Sequence, residues 1–424
     1  MYSETQYSSL NNNRFLSIKY HFLLIIFILN LQGFITYIDW ELRKLGEVAK
    51  IVGGGTPSTK VSNYWDGEID WYTPSEIGDR TYLKQSEKKI TSSGLDNSSA
   101  QLLPVGTVLF TSRAGIGKTA ILKKTSTTNQ GFQSIVPNLK LLKSYYIFSL
   151  TSKLKKYGEI NGAGSTFIEV SGKQMAKMDL MLPSLKEQDD ISDLLKTADK
   201  IIILSRKKLT MYESLKKYLL QNLFPSDGEK IPNVRFADFS GDWEQHKLGK
   251  ITNIFDGTHQ TPSYTKEGVM FLSVEDIRTL HSKKFISEMD FKKDFKISPK
   301  ASDILMTRIG DVGTTNVVNY NGNIAYYVSL ALLQKKDTDS LFLNYCISSP
   351  AVQREIWKRT LQVAFPRKIN KNEIKKIPIN ISKKEEQIKI GKIFSKIDFC
   401  LYTAKKQLSL YKNMKKYYTQ KLLV

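Results

Sequence analysis

Residues 187–224 read EQDDISDLLKTADKIIILSRKKLTMYESLKKYLLQNLF, and from Glu385 the chain closes on EEQIKIGKIFSKIDFCLYTAKKQLSLYKNMKKYYTQKLL. At a fixed shift of 199 positions Glu187 meets Glu386, Gln188 meets Gln387, Asp199 meets Asp398, Tyr212 meets Tyr411 and Lys216 meets Lys415, with no gap. A self-match at constant offset marks a duplicated unit and argues against two unrelated surface helices. In the first copy Ile191, Leu194, Ala198, Ile201, Ser205, Leu209, Tyr212, Leu215 and Leu219 recur at steps of three and four. The second copy repeats the stripe with Ile390, Ile393, Ile397, Cys400, Ala404, Leu408, Tyr411, Met414 and Tyr418. Such spacing gives a helix one continuous buried face. With no proline inside either stretch, each helix is expected to run roughly 55 Å, and matching seams are expected to pack on each other.

Landmarks on either side of the helices are duplicated too. Asp39-Trp40-Glu41 then Lys44-Leu45-Gly46 opens one unit, and Asp242-Trp243-Glu244 then Lys247-Leu248-Gly249 opens another. Each continues into a glycine-bearing turn ending in Thr-Pro-Ser, at 53–58 and 256–263. Apolar-aromatic runs follow, Ile69–Tyr72 through Glu76-Ile77 and Val269–Leu272 through Asp276-Ile277, both read as strands. The copies converge again on a strand entering a glycine turn, at 108–117 and 304–313, and close on Pro-bearing strands at Met181-Leu182-Pro183 and Ile377-Pro378-Ile379. The organisation expected is an N-terminal extension over 1–38, a first globular domain over 39–183, a helix over 184–224, a linker over 225–241, a second domain over 242–381 and a second helix over 382–424. The fold class is α/β (α+β), internally duplicated.

Lys and Arg total 63 against 41 Asp and Glu, a formal charge of +22, which favours a polyanionic partner. Nucleic acid leads and an anionic membrane surface follows. Cys346 and Cys400 are too few and too far apart for a zinc site or a disulfide framework, which fits a reducing cytosol. The apolar run Phe22–Ile38 stands apart from everything downstream. It is read as a start-site or frameshift artefact, with a membrane anchor or a peripheral helix as alternatives.

Catalytic constellations are missing. Gly115-Ile116-Gly117-Lys118-Thr119 ends like a phosphate-cradling loop, but Ser112 stands where such a loop needs glycine. No His-Glu-x-x-His occurs, and His21, His246, His259 and His281 have no metal spacing. No metal, cofactor or small-molecule substrate is expected. Recognition chemistry remains. Arg113 and Arg308 occupy equivalent turns, where a guanidinium can fork onto guanine or onto phosphate, and Lys118 follows the first of them. Gln130, Gln133, His259, Gln260 and Asn316 offer amide or imidazole edges suited to reading bases, and Tyr64, Trp65 and Tyr264 can pack on sugar or thymine methyl. Arg308→Ala is expected to relax one base position.

Taken together, the Trp-Glu then Lys-Leu-Gly openings, Gly-Gly-Thr-Pro-Ser, Leu-Phe-Thr-Ser-Arg-Ala-Gly-Ile-Gly, Leu-Pro-Ser-Leu-x-Glu-Gln and the Leu-Phe-Pro then Val-Arg-Phe linker give residues 39–424 a family resemblance. The chain resembles the specificity subunit of Type I restriction-modification systems. That resemblance implies two target-recognition domains, each reading half of a split sequence in double-stranded DNA. Two antiparallel helices would form a coiled-coil spacer that holds them apart and docks two methylation subunits, with restriction subunits joining through those. The chain would then be a non-catalytic, cytoplasmic partner in a methyltransferase and endonuclease complex. Competing expectations are a self-contained DNA methyltransferase or nuclease with cryptic motifs, or a membrane-anchored nucleic-acid-binding adaptor. One departure stands out: the first unit lacks the polar lead that Val234-Arg235-Phe236 gives the second. If the helices are a ruler, four residues inserted after Ser205 should lengthen the unread spacer by one or two base pairs.

Overall fold

A computed structural model of the chain describes residues 40–423 apart from 79, 114 and 165–167, so the apolar run at 22–38 lies outside the described residues. Among those residues no helix is long and apolar enough to cross a membrane. The chain divides into two units: the described residues up to Lys200 together with those from Asn413 on, and Ile201–Lys412.

In the first unit a five-stranded sheet runs in the order Ala49–Gly53, Gln133–Pro137, Val108–Phe110, Thr119–Leu122, Tyr82–Leu83. Its pairs are antiparallel except the last. A three-stranded sheet of Lys88–Ile90, Trp65–Tyr72 and Thr127–Thr128 accompanies it. The second unit repeats the plan. Its four-stranded sheet runs Thr252–Asp256, Leu330–Lys335, Ile304–Thr307, Thr315–Val317, and its three-stranded sheet runs Phe285–Ile286, Val269–Leu272, Ile324–Tyr326. Val108, Leu109 and Phe110 are wholly buried, as are Ile304, Leu305 and Met306, so these strands are covered on both faces and read as unbroken apolar runs. Mixed sheets with mostly antiparallel pairing give the α+β form of the expected class.

The opening and closing landmarks of each unit prove to be partners. Glu41–Lys44 pairs antiparallel with Asp179–Leu182, and Glu244–Lys247 with Pro378–Ile381. Each Trp-Glu opening is thus zipped onto the strand that precedes a long helix. The runs expected to stay extended to Ile77 and Ile277 do not. Both strands stop at residue 72 or 272, and a 3-10 turn follows at Pro74–Glu76 or Val274–Asp276. The cause is local capping: the Thr73 amide donates to the Glu76 carboxylate at 2.8 Å, and the Ser273 amide to that of Asp276 at 2.9 Å.

The two long helices are Leu185–Asn222 and Lys384–Leu422. Along the first helix and one residue beyond it, Gln188, Ile191, Leu195, Ala198, Ile202, Ser205, Leu209, Tyr212, Lys216, Leu219 and Leu223 are all buried or half-buried. Steps of three and four alternate without a break, which is a heptad seam. Its counterpart, Gln387, Ile390, Phe394, Ile397, Leu401, Ala404, Leu408, Tyr411, Lys415, Tyr418 and Leu422, lies 199 positions on. This corrects the expected stripe at one position: Leu215 is 41 % exposed, while Leu194 and Ile201 are half-buried beside the more deeply covered Leu195 and Ile202. A 3.5-residue repeat drifts against a 3.6-residue template, and over several turns the drift moves the seam by a whole residue.

Lysine on a packed seam needs a partner, and both seam lysines have the same one. In the second unit Lys216 Nζ lies 2.5 Å from Asp398, whose other oxygen accepts the Tyr345 hydroxyl at 2.8 Å. In the first unit Lys415 pairs with Asp199, which accepts the Tyr145 hydroxyl at 2.8 Å. Tyr145 and Tyr345 belong to the short helices Ser144–Ser149 and Ser340–Ile347 of the globular parts, so each Tyr–Asp–Lys set latches a domain to the helix pair. Burial raises both phenols, and the adjacent aspartate raises them further, so each hydroxyl remains a donor. Tyr345→Phe is expected to cost about 1.5 kcal/mol, the low end for a bond to a charged group because Asp398 is partly exposed. Urea titration of the variant checks this, and an unchanged midpoint would remove the latch from the account.

Candidate nucleic-acid interface

In both units the glycine turn is fixed by a threonine at its first position. Thr111 Oγ1 donates to the Gly115 carbonyl at 2.8 Å and accepts the Lys118 amide at 3.0 Å. Thr307 does the same with the Asp311 carbonyl and with the Thr314 amide at 2.9 Å. Gly117 has φ +97°, and a Cβ there would lie 2.3 Å from Lys155 Cβ, so glycine is needed for both angle and packing. A strand, Thr119–Leu122, follows this turn. A phosphate loop requires a helix N-terminus at that point, so the nucleotide reading fails on geometry as well as on sequence.

Three loops meet at one end of the first unit's large sheet. The Ser112 amide donates to the Gly131 carbonyl at 2.9 Å, the Gly55 amide to the Thr128 carbonyl at 2.8 Å, and Thr56 Oγ1 to the Gln130 side chain. Gly54 permits this approach, since a Cβ would stand 1.9 Å from the Asn129 carbonyl oxygen. Arg113, Lys118 and Gln130 are thereby brought together, with Gln133 beginning the strand opposite Gly53. Lys118 and Gln130 are exposed, and the one-third-exposed Arg113 side chain lies 3.8 Å from Glu169. Trp65 serves the loop itself: its indole donates to the Ser58 carbonyl at 3.1 Å and its ring meets Trp71 edge-on at 5.1 Å. Tyr64 closes the preceding 3-10 turn, half-buried, and its carbonyl accepts the Thr91 amide at 3.0 Å.

The second unit assembles the same end differently. Arg308 is 12 % exposed, ion-paired to Asp256 at the end of the edge strand, and donates from Nε to the Ile369 carbonyl at 3.3 Å. Lys371 reaches the other Asp256 oxygen at 2.9 Å. The guanidinium that sequence placed on bases therefore braces the turn. His259 and Gln260 are exposed on the adjoining loop. Tyr264 is 47 % exposed, edge-on to Phe271 at 5.7 Å, with Lys284 5.9 Å from its ring centroid. Asn316 is not brought to the turn. It pairs with Leu305 along the strand, and its amide donates to the Ile277 and Arg278 carbonyls at 2.9 and 3.1 Å. A hairpin that sequence reading passed over joins instead, its base formed by Leu361 and Lys368 and tied to the turn by the Gly310 amide donating to the Arg367 carbonyl at 2.8 Å. Among the described residues no group of three or more His, Cys, Asp or Glu is placed to hold a metal ion.

Comparison with known proteins agrees with this duplicated arrangement. The family described as the Type I restriction modification DNA specificity domain matches twice, over residues 37–211 and 240–410. The MjaIX restriction enzyme specificity subunit of Methanocaldococcus jannaschii is 32 % identical over 276 residues, 61 % of this chain and 63 % of that protein. The EcoR124I/EcoR124II specificity subunit of Escherichia coli is 27 % identical over 168 residues, 38 % of this chain and 41 % of that one. The chain thus spans less than two thirds of either relative, whereas a putative MjaX specificity subunit aligns over 89 % of this chain and 91 % of its own length at 24 % identity. In fold, the chain is similar to the crystal structure of a Type I system S subunit from M. genitalium, with TM-score 0.57 and 14 % identity over 92 % of this chain and 98 % of that one. Since the family's domain accounts for most of the chain in two copies, the chain belongs to the Type I restriction-modification DNA specificity family.

Proposed function

We propose that this chain is the DNA-reading and assembly subunit of a Type I restriction-modification complex, with no catalysis of its own. The observation that carries the reading is the duplication itself. Two units present loops of divergent sequence at the equivalent end of equivalent sheets, each tied by its own Tyr–Asp–Lys latch to a shared pair of helices. Each unit reads one half of a bipartite site in double-stranded DNA, and the helices dock two methylation subunits, through which restriction subunits join. The work is done in the cytoplasm, where the DNA is. Purified alone, the chain should neither methylate DNA with added S-adenosylmethionine nor cut it; turnover without partners would overturn the assignment.

Charge gives a second expected outcome. With a formal charge of +22, binding should weaken steeply as salt rises, each neutralised phosphate adding about −0.9 to the slope of log K against log salt. A flat salt response measured by fluorescence anisotropy would count against a phosphate-tracking surface.

The two turn arginines should separate. Arg113 is the more exposed, so Arg113→Ala should cost about 1–3 kcal/mol at the base or phosphate it meets. Arg308 braces its turn, so Arg308→Ala should degrade the whole half-site read by the second unit rather than one position. Binding-site selection on both variants checks this, and a single relaxed position for Arg308→Ala would restore it to direct base reading.

A further inference from the structure

The hairpin of the second unit carries apolar side chains into solvent. Val363 is 99 % exposed and Phe365 fully exposed, with Leu361 at 41 % and Trp357 at 53 % beside them. A phenylalanine left in water forgoes the stabilisation that burial supplies, and here two exposed apolar side chains stand on one loop. The loop is held firmly. The Leu361 amide donates to the Lys368 carbonyl at 2.8 Å, the Ile369 amide to the Arg308 carbonyl at 2.9 Å, and the Gly310 amide to the Arg367 carbonyl at 2.8 Å. The tip is therefore mounted on the glycine turn at the recognition end of the sheet.

Its surroundings select a polyanion with apolar faces between its charges. Arg367 stacks on Trp357 at 4.8 Å from the ring centroid, and Lys368 follows it, exposed. Neither makes an ion pair among the described residues, whereas nearby Lys358, Arg359, Lys371 and Lys376 are all paired. A protein partner that buried this tip would have to neutralise or desolvate two cations flanking it. Duplex DNA meets both requirements at once, since phosphates take the cations while base edges and thymine methyls take the apolar tip. The first unit ties an equivalent bridge, between Ala163 and Glu169, to its own turn, with the Val170 amide donating to the Ser112 carbonyl at 3.1 Å, and there an acidic residue stands where the second unit has Lys368.

We propose that Val363 and Phe365 form an apolar finger that enters the DNA groove and contacts bases of the half-site read by the second unit, with Arg367 and Lys368 gripping the flanking phosphates. This rests on the DNA-reading function proposed above and names a base contact within it. The test uses the full chain in complex with its methylation subunits and a duplex carrying the motif found for it by methylome sequencing. Phe365→Ala and Val363→Ser are expected to weaken binding of that duplex about tenfold each, to make one or more positions of one half-site degenerate, and to leave the salt slope unchanged. Arg367→Ala and Lys368→Ala are expected to lower the salt slope by about one each with the motif intact. Both apolar tips are solvent-exposed, so folding should survive, and circular dichroism confirms it. Unchanged affinity and motif in Phe365→Ala would overturn the finger. Loss of methylation subunits from that variant at unchanged site affinity would overturn it too, making the tip a protein-docking surface. Absence of site preference in the unaltered complex is the separate result that would remove the DNA reading itself.

Discussion

Replacing Arg235 by alanine is expected to destabilise the second unit by about 3–5 kcal/mol, a large share of the 5–15 kcal/mol that holds a typical domain. Arg235 Nε and Nη2 donate to the two oxygens of Glu386 at 2.8 and 2.9 Å, and its remaining nitrogen reaches the Gly241 carbonyl at 2.6 Å. The Glu386 side chain is 1 % exposed and that of Arg235 13 %, so removing the cation strands a carboxylate in the interior. The stretch read as a linker is thus packed: Phe224 stacks on Phe394 at 5.8 Å, and Val234 and Phe236 lie against the core. The first unit solves the same problem otherwise. Its equivalent carboxylate, Glu187, accepts the Trp40 indole N–H at 3.1 Å, whereas the buried Trp243 indole has no hydrogen-bond partner among the described residues because Arg235 holds the carboxylate. Urea unfolding followed by tryptophan emission isolates the second unit in a chain whose Trp40, Trp65 and Trp71 are replaced by phenylalanine, since Trp243 and Trp357 then remain as reporters. Arg235→Leu combined with Glu386→Leu should recover most of the loss. A single-variant loss below about 1 kcal/mol would show that the pair is not what secures the helix start.

Lengthening both long helices by four residues, after Ser205 and after Leu408, is expected to keep both half-site sequences and widen the unread spacer by one or two base pairs. In the second unit Lys216 pairs with Asp398 and Glu213 lies 3.9 Å from Lys405, while in the first Asp199 pairs with Lys415. In the second unit partner numbers fall as helix-one numbers rise, so the helices run antiparallel there. An insertion after Ser205 alone would slide one seam against the other and bury Lys216 without Asp398. Matched insertions keep every pair and add one turn, about 6 Å, absorbed as a local unwinding of the heptads. Duplex rise is about 3.4 Å per base pair, and each pair turns the far half-site by about 34°, which limits how much added length is tolerated. Methylome sequencing of the double insertion decides it. An unchanged spacer would mean that something other than helix length sets the separation.

The duplication was legible because identity at constant offset needs no structure to be seen, and several strands were placed by landmarks that recur in both halves. What escaped the sequence were contacts between distant residues. Arg308 looks free until Asp256, 52 positions away, is seen to hold it. Lys216 is not apolar, so an apolar template chose Leu215 for the seam, although Lys216 is the residue that faces Asp398. Asn316 has an amide fit for reading adenine, yet two backbone carbonyls consume it. Phe365 carries no mark in the sequence that sets it apart from a core aromatic, and only the fold shows it wholly in water. Polarity assigned side chains to recognition, whereas partners decide which of them are available for it.

That this chain supplies the sequence specificity of a methylating complex is tested by single-molecule methylome sequencing of isogenic cells with and without its gene. One bipartite motif, with adenine methylated in each half, is expected with the gene and not without it. Exchange of residues 242–381 for those of another family member should then change one half of that motif and leave the other intact. An identical set of methylated motifs in the two strains would contradict the claim.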